Sequence, residues 1–218
     1  MTRRYSTEPE DKRAFTEKYD RVWTRAARAY DVIVKTLPLW KSWIGKAVPE
    51  IRGPRVLDVS FGTGYLLTRY AQKFEVCGID YNARMVRTAQ RNVREAGLRA
   101  ELQRASVEAI PYQRETFDTV VNTMAFSGYP DGKAAMSEMR RVLKAGGRLV
   151  MIDVDYPSDG NRTGTFMTNL WKNQLGAIIR DVDSLFLELG FEHTDREIGG
   201  FGSIHLYVAE KLGLSLER

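Results

Sequence analysis

Val56-Leu57-Asp58-Val59-Ser60-Phe61-Gly62-Thr63-Gly64, followed by Val76-Cys77-Gly78-Ile79-Asp80, is the stretch on which the reading of this chain turns. A short apolar strand over 55–59 runs into a glycine turn, and a helical pattern from Tyr65 to Phe74 opens directly after it. A second apolar strand then ends in a carboxylate, Asp80, sixteen residues beyond Gly64. Strand, glycine turn, helix and strand-end acid in that order describe a nucleotide pocket at the carboxyl edge of a parallel sheet. Gly62 and Gly64 let the backbone pass close to a ligand, and the helix start offers N–H groups that lack intrahelical partners. Asp80 stands where it can accept hydrogen bonds from a ribose diol. Positions 60–65 read Ser-Phe-Gly-Thr-Gly-Tyr, which is not the G-x-G-x-x-G of the pyrophosphate binders.

Outward from this stretch, strands and helices alternate. Strands are expected over 55–59, 75–80, 99–104, 117–122, 147–154, 191–198 and 203–210. Helices are expected over 64–73, 83–96, 132–143 and 182–189, with Asn82 capping the second and Gly97 ending it. The pattern predicts an α/β fold: a Rossmann-like, seven-stranded, mostly parallel sheet with helices on both faces. Gly199-Gly200-Phe201-Gly202 signals a tight connection and an antiparallel last strand. Before the core, apolar positions recur at Phe15, Tyr19, Val22, Ala26, Ala29 and Ile33, the stripe of an amphipathic helix. Pro38 starts a second helix carrying Leu39, Trp40, Trp43, Ile44 and Val48. Residues 1–52 are therefore expected to form a helical cap on the unit 53–211. A turn-rich stretch from Pro157 opens a lid insert over about 157–180, helical around 165–179.

Several segments in register resemble the class I S-adenosylmethionine-dependent methyltransferases. Ala105-Ser106-Val107-Glu108-Ala109-Ile110-Pro111-Tyr112 is similar to the family's G-D-A-E-x-L-P-F segment. Phe117-Asp118-Thr119-Val120-Val121-Asn122 resembles its fourth strand, and Glu138 to Val150 its helix, glycine turn and fifth strand. The resemblance spans about 50–155, more loosely 180–211, and implies S-adenosyl-L-methionine as cofactor. It puts Asp58, Gly62 and Gly64 on the methionine side, Asp80 on the ribose hydroxyls and Tyr81 against the adenine. Ser106 and Val107 then lie by the adenine edge, and Asn122 by the amino-acid moiety. Ser60 and Phe61 stand where the family has Gly and a small residue, so Ser60 brings extra atoms to the donor. Ser106 replaces the usual Asp and forgoes a charge-assisted bond to the adenine.

Composition bounds the rest. With 43% hydrophobic and 28% charged residues the chain reads as an ordinary soluble globule, and cytoplasm is the expected location. Peripheral contact with the inner face of a membrane is the variant of that expectation. The single Cys77 allows no internal disulfide, and two histidines without Cys/His clustering argue against a metal. A net charge of +5 permits an anionic partner without demanding one.

A sulfonium donor is already activated, so the protein must chiefly align the acceptor and exclude water. The candidate acid–base residues are Asp153, Asp155 and Tyr156 at the end of the fifth strand, together with His205. Asn122-Thr123-Met124-Ala125-Phe126-Ser127-Gly128-Tyr129-Pro130 lacks the Asn/Asp-Pro-Pro-aromatic tetrapeptide of many nucleic-acid base methyltransferases, so nucleic acid is disfavoured. Tyr30-Asp31 and Trp40-Lys41-Ser42-Trp43 resemble segments of the ubiquinone/menaquinone-biosynthesis C-methyltransferases. The expected function is methyl transfer to a small or lipid-like, largely apolar acceptor, with Tyr19, Trp23, Tyr30, Phe126, Tyr129 and Trp171 as acceptor-site candidates. The same N-terminal aromatics suit packing on the sheet or contact with an anionic bilayer. Two alternatives stay open: methylation of a phospholipid amine headgroup, and donor binding without catalysis in a scaffold or regulatory subunit.

Overall fold

The computed structural model describes residues 5–213. Seven strands form one sheet: β1 (Arg55–Val59), β2 (Glu75–Asp80), β3 (Glu101–Arg104), β4 (Phe117–Thr123), β5 (Leu143–Val154), β6 (Phe191–Gly199) and β7 (Ile204–Lys211). Their order is β3-β2-β1-β4-β5-β7-β6. Every pairing from β3 to β5 is parallel, and β7 runs antiparallel to both β5 and β6. The strand order reverses between β1 and β4, which opens a crevice over their carboxyl ends.

Because strand side chains alternate, β1, β4 and β5 feed two separate cores. Val56, Val121, Val150 and Ile152 pack on one face with Val34, Ile44, Leu67 and Val86. Leu57, Val120, Leu149 and Met151 pack on the other with Met136, Met139, Val182 and Phe186. The first face carries α1 (Lys12–Thr36), α2 (Pro38–Gly45), α3 (Leu67–Tyr70) and α4 (Ala83–Glu95). The second carries α5 (Gly132–Val142) and α7 (Val182–Glu188), while α6 (Arg162–Leu175) belongs to the segment after β5.

Departures from the expected boundaries have local causes. The helix expected over 64–73 contracts to Leu67–Tyr70, since Gly64 takes a φ of 76° and i→i+3 turn bonds flank the short helix. The fifth strand begins at Leu143 rather than 147. Phe117 pairs with Leu143, the register slips before Thr119 pairs with Arg148, and Gly146 (φ 71°) supplies the bulge. Pro38 starts α2 as expected, but the helix stops at Gly45 and continues only as a 3-10 turn over Val48–Glu50. The α6 helix starts three residues earlier than expected, because Asn161 caps the N–H groups of Thr163 and Gly164, and Gly176 closes it in a left-handed turn.

The long α1 is anchored by Asp11, whose side chain accepts the N–H of Ala14. It lies beside α4. Asn82, at the start of α4, contacts Asp20 and Thr24, and Asn92, ten residues on, donates to Asp31. Two matched contacts ten or eleven residues apart mean that α1 and α4 run parallel, side by side.

Candidate active site

Asp80 ends β2 beside the glycine turn, and each carboxylate oxygen takes one backbone N–H: Gly62 at 2.9 Å and Asn82 at 2.8 Å. Burial pushes its pKa up to about 7 against the pull of those two N–H groups, with the Asp20 charge adding to the rise. No cation neutralises it among the described residues, and each oxygen keeps a lone pair. Hydroxyl donors such as a ribose diol meet that need, so the site fits the cofactor. Asp58 projects from β1 on the same face of the sheet as Asp80, and there Tyr70 Oη donates to it at 2.6 Å. Burial lifts Asp58 to about 7, Tyr70 counters this, and Asp80 adds to it.

Ser60 has a φ of 60°, in the left-handed region that favours glycine. This is the position where the resembled family has Gly, and the conformation explains why. What Ser60 gains is a partner: Tyr129 Oη donates to its Oγ at 2.7 Å and accepts from Asn122 Nδ2 at 2.6 Å. Asn122 Oδ1 is buried and has no hydrogen-bond partner among the described residues. An unpaired buried acceptor is costly, and an ammonium group would satisfy it. Phe61 points into the core, where its ring and Leu102 fill the space that a side chain at Gly78 would need. The large residue at 61 is thus matched by an absent one at 78.

Tyr81, which the resemblance puts against the adenine, is 40% exposed and carries the Arg104 guanidinium 5.3 Å from its ring centroid. Ser106 Oγ accepts the Glu108 N–H at 3.2 Å, and Val107 is buried in the α5 layer. Gly64, with φ 76°, packs on Ala89 of α4 closely enough that a side chain there would collide.

The N-terminal helices close the crevice. Tyr30 of α1 reaches the Gly62 turn, within 3.3 Å of where a Cβ at that position would stand. Burial, followed by the Asp80 charge, raises its phenol pKa. From Tyr30 a chain of rings leads outward. Trp23 lies 5.3 Å from it and Trp40 6.3 Å, and Trp171 of α6 lies 6.2 Å from Trp40. Tyr19 joins the same layers, its hydroxyl donating to the carbonyls of Leu175 and Gly176 at 3.3 and 3.4 Å. Between the helices and the turn remains a cavity of about 20 Å³, lined by Tyr30, Trp40, Ser60, Phe61, Thr63 and Thr123 among others.

The segment after β4 is held from beneath. Arg180, 7% exposed, donates to the carbonyls of Phe126 and Tyr129, and its guanidinium lies 5.4 Å from the Phe126 ring centroid. Burial depresses the Arg180 pKa, opposed chiefly by Glu8. Phe126 itself is 2% exposed and packs in the second core, behind the crevice.

At the end of β5 the four candidates separate. Asp153 accepts the N–H of Ser127 at 3.1 Å and of Val154 at 2.7 Å, and burial raises its pKa. Asp155 accepts from Tyr207 Oη at 2.8 Å. These two acids project toward the α5–α7 layer. Tyr156 faces the other layer, its hydroxyl donating to Asn169 Oδ1 at 3.0 Å and its ring edge-on to Tyr5. The structure therefore brings Tyr156, not the acids, to the aromatic side. His205 has both ring nitrogens occupied: Nδ1 lies 2.8 Å from Asp195 and Nε2 2.9 Å from the Gly202 carbonyl. Burial works against its charge, yet Asp195 holds its pKa above the usual value. Neither nitrogen is left to take a proton from an acceptor; the ring fastens the β6–β7 hairpin instead.

Arg180, Asp195 and the tether at Asn82 were not read from the sequence as parts of this region. A lone arginine closing the apolar run Ala177-Ile178-Ile179 was the one visible signal for a buried charge. The hairpin register, which sets Asp195 opposite Tyr207, is the signal for the His205 partner. Among the described residues no group of three or more His, Cys, Asp or Glu could hold a metal ion, and no helix is long and apolar enough to cross a membrane.

Residues 56–147 match the protein family described as "Methyltransferase domain". A phosphatidylethanolamine N-methyltransferase of Cereibacter sphaeroides is 38% identical over 104 residues, covering 47% of this chain and 51% of that protein. A ubiquinone/menaquinone biosynthesis C-methyltransferase of Coxiella burnetii is 29% identical over 165 residues, covering 71% of this chain and 65% of its own. The chain thus spans about half to two thirds of the length of these relatives. A crystal structure of a SAM-dependent methyltransferase from Thermotoga maritima superposes with a TM-score of 0.69 at 19% identity, covering 88% of this chain and 99% of that one. Sheet order, glycine turn and strand-end carboxylate define the class of a Rossmann-like domain that binds S-adenosylmethionine. The chain is similar to the class I S-adenosylmethionine-dependent methyltransferases, and among them to the ubiquinone/menaquinone-biosynthesis C-methyltransferases.

Proposed function

We propose that the chain transfers the methyl group of S-adenosylmethionine to a small or lipid-like, largely apolar acceptor of the quinol-precursor kind. The observation that carries this reading is the run of rings from Tyr30 at the Gly62 turn through Trp40 to Trp171, an apolar wall rising from the donor end. The Coxiella burnetii relative, by its name, methylates carbon in ubiquinone and menaquinone biosynthesis and supports the same class of acceptor.

The cofactor supplies a methyl group already activated on a sulfonium. Asp80 would hold its ribose hydroxyls and Asn122 Oδ1 its ammonium. Tyr81 would flank the adenine, with Ser106 and Val107 at the adenine edge. Gly62 and Gly64 allow the close backbone approach, and Ser60 with Tyr129 orients Asn122. Residues 1–52 act as a cap and about 157–180 as a lid of the same unit, joined through Tyr19 and the end of α6. Closure of α1 excludes water, and Tyr156 on the aromatic side orients the acceptor through its hydroxyl.

The test is mass spectrometry of reaction products with deuterium-labelled methyl donor and two acceptors, a demethylated quinol and phosphatidylethanolamine. Label on the quinol ring sustains the proposal. Label on the lipid amine instead selects the second reading, which the 38% identity to the Cereibacter sphaeroides enzyme favours. Donor binding with no transfer to either acceptor overturns both.

A further inference from the structure

The parallel packing of α1 and α4 assembles a charge pattern that lies sixty residues apart in the sequence. On α1, Arg21, Arg25 and Arg28 stand at steps of four and three, one face of a helix. On α4, Arg84, Arg87, Arg91 and Arg94 stand at steps of three, four and three, again one face. The contacts of Asn82 with Asp20 and of Asn92 with Asp31 fix the two helices in register, so the two ladders stand beside each other. All seven arginines are exposed or half-buried. Arg91 meets Glu95 at 3.8 Å, while the other six form no ion pair among the described residues. The acids between the helices are already committed: Asp31 to Lys35 and Asn92, Asp20 to Asn82.

Apolar side chains interleave with this charge. Val32 lies eleven residues from Arg21 on the same stripe of α1 and is 59% exposed. Ile33, Leu37 and Leu39 continue it around the α1–α2 corner, Leu39 being 58% exposed. Arginine ladders alone would suit any polyanion. Exposed aliphatic groups among them gain nothing against a phosphodiester backbone and gain by entering hydrocarbon.

We propose that the α1–α4 face and the α1–α2 corner dock on an anionic lipid bilayer, the arginines on the headgroups and Val32, Ile33, Leu37 and Leu39 in the acyl boundary. The same helix, α1, caps the crevice: Tyr30, nine residues from Arg21, faces away from the arginine row, so docking holds α1 between the bilayer and the aromatic wall. Vesicle binding is read without methyl transfer, so it stands or falls separately from the acceptor.

The experiment is flotation of the full chain with phosphatidylcholine vesicles, with and without about a third phosphatidylglycerol. Binding is expected only to the anionic vesicles, weakening as salt rises. Arg87→Gln with Arg25→Gln should weaken it roughly fivefold per arginine. Leu37→Ser with Leu39→Ser, which keeps every charge, should also weaken it several-fold. Circular dichroism melting checks that each variant is folded. Equal binding to both vesicle types, or no binding by the folded wild type, overturns the proposal. So does binding to a duplex oligonucleotide in preference to anionic vesicles with the leucine pair indifferent, which would make the face a nucleic-acid surface.

Discussion

The donor half of the crevice and the half beyond β4 are held by bonds of very different reach. Around the donor, Gly62 and Asp80, Asp80 and Asn82, and Asp58 and Tyr70 are partners within eighteen residues of each other. Beyond β4, Arg180 reaches back 54 and 51 residues to Phe126 and Tyr129, and Tyr207 reaches 52 to Asp155. Around Asp80 the glycine-turn half is made of backbone N–H groups and strand ends, with Tyr129 to Ser60 and Asn82 to Asp20 as its long-range additions; the other half hangs on a few buried side chains. A local design survives the loss of one side chain with its shape intact, whereas a long-range one fails at its staple.

The sharpest way to break that contrast is Arg180→Ala. It would leave the buried Tyr129 carbonyl without its donor and the Phe126 carbonyl with only the Tyr129 N–H, and the unfolding free energy should fall by about 3 kcal/mol, read from urea titrations. A loss under about 1 kcal/mol would mean that the segment 126–130 does not depend on its staple.

Asp80→Ala tests the donor half by function rather than stability. S-adenosylmethionine affinity of the folded variant by calorimetry should drop by about 1.5–3 kcal/mol, the scale of hydrogen bonds to a charged group. Unaltered affinity would remove Asp80 from the site.

Titration separates the halves further. Burial pushes the Asp58 and Asp80 carboxyls from the usual 3.8 up to about 7, so between about pH 4 and 7 the folded chain binds more protons than the unfolded one. Stability from these groups is therefore full at low pH and lost as pH climbs through about 7. His205, also raised, loses its contribution in the same direction as pH passes its folded value. Donor binding should run the other way, strengthening up to about pH 7 because a ribose diol prefers the Asp80 carboxylate. Melting curves and calorimetry across pH 5–8 give both slopes, and Asp80→Asn should flatten each. Parallel slopes would contradict the assignment.

The smallest effect belongs to Ser60. Ser60→Gly releases a strained φ but forfeits the Tyr129 bond, and should shift stability by no more than about 1 kcal/mol; Ser60→Ala keeps the strain, loses the bond and should be the less stable of the two. The reverse order in a thermal melt would show that the strain is negligible.

The same difference in reach governs what could be read in advance. The strand over 55–59, the strand ending at Asp80 and the cap at Asn82 came directly from spacing, because each rests on neighbours in the chain. Ser60 was recognised as a departure, but its cause, a left-handed φ, is a property of the folded turn. The β5 start was misplaced because Gly146-Gly147 reads as a turn, while in the sheet it is a bulge. His205 read as a base candidate since its two partners, Asp195 and the Gly202 carbonyl, become neighbours only when the hairpin closes. The arginine ladders were visible helix by helix, yet nothing in the one-dimensional pattern placed them side by side.

The latch between Asn82 and α1, with Tyr30 seated on the Gly62 turn, bears on the tempo of the reaction. An opening of α1 at this end would first have to break the bonds from Asn82 Nδ2 to Asp20 and Thr24. If donor and product exchange beneath α1, each cycle would include one excursion of the helix, however quick the transfer itself. Loosening the latch with Thr24→Ala should hasten product escape and could raise turnover while weakening the grip on the donor. In such a molecule the hinge keeps time and the chemistry follows.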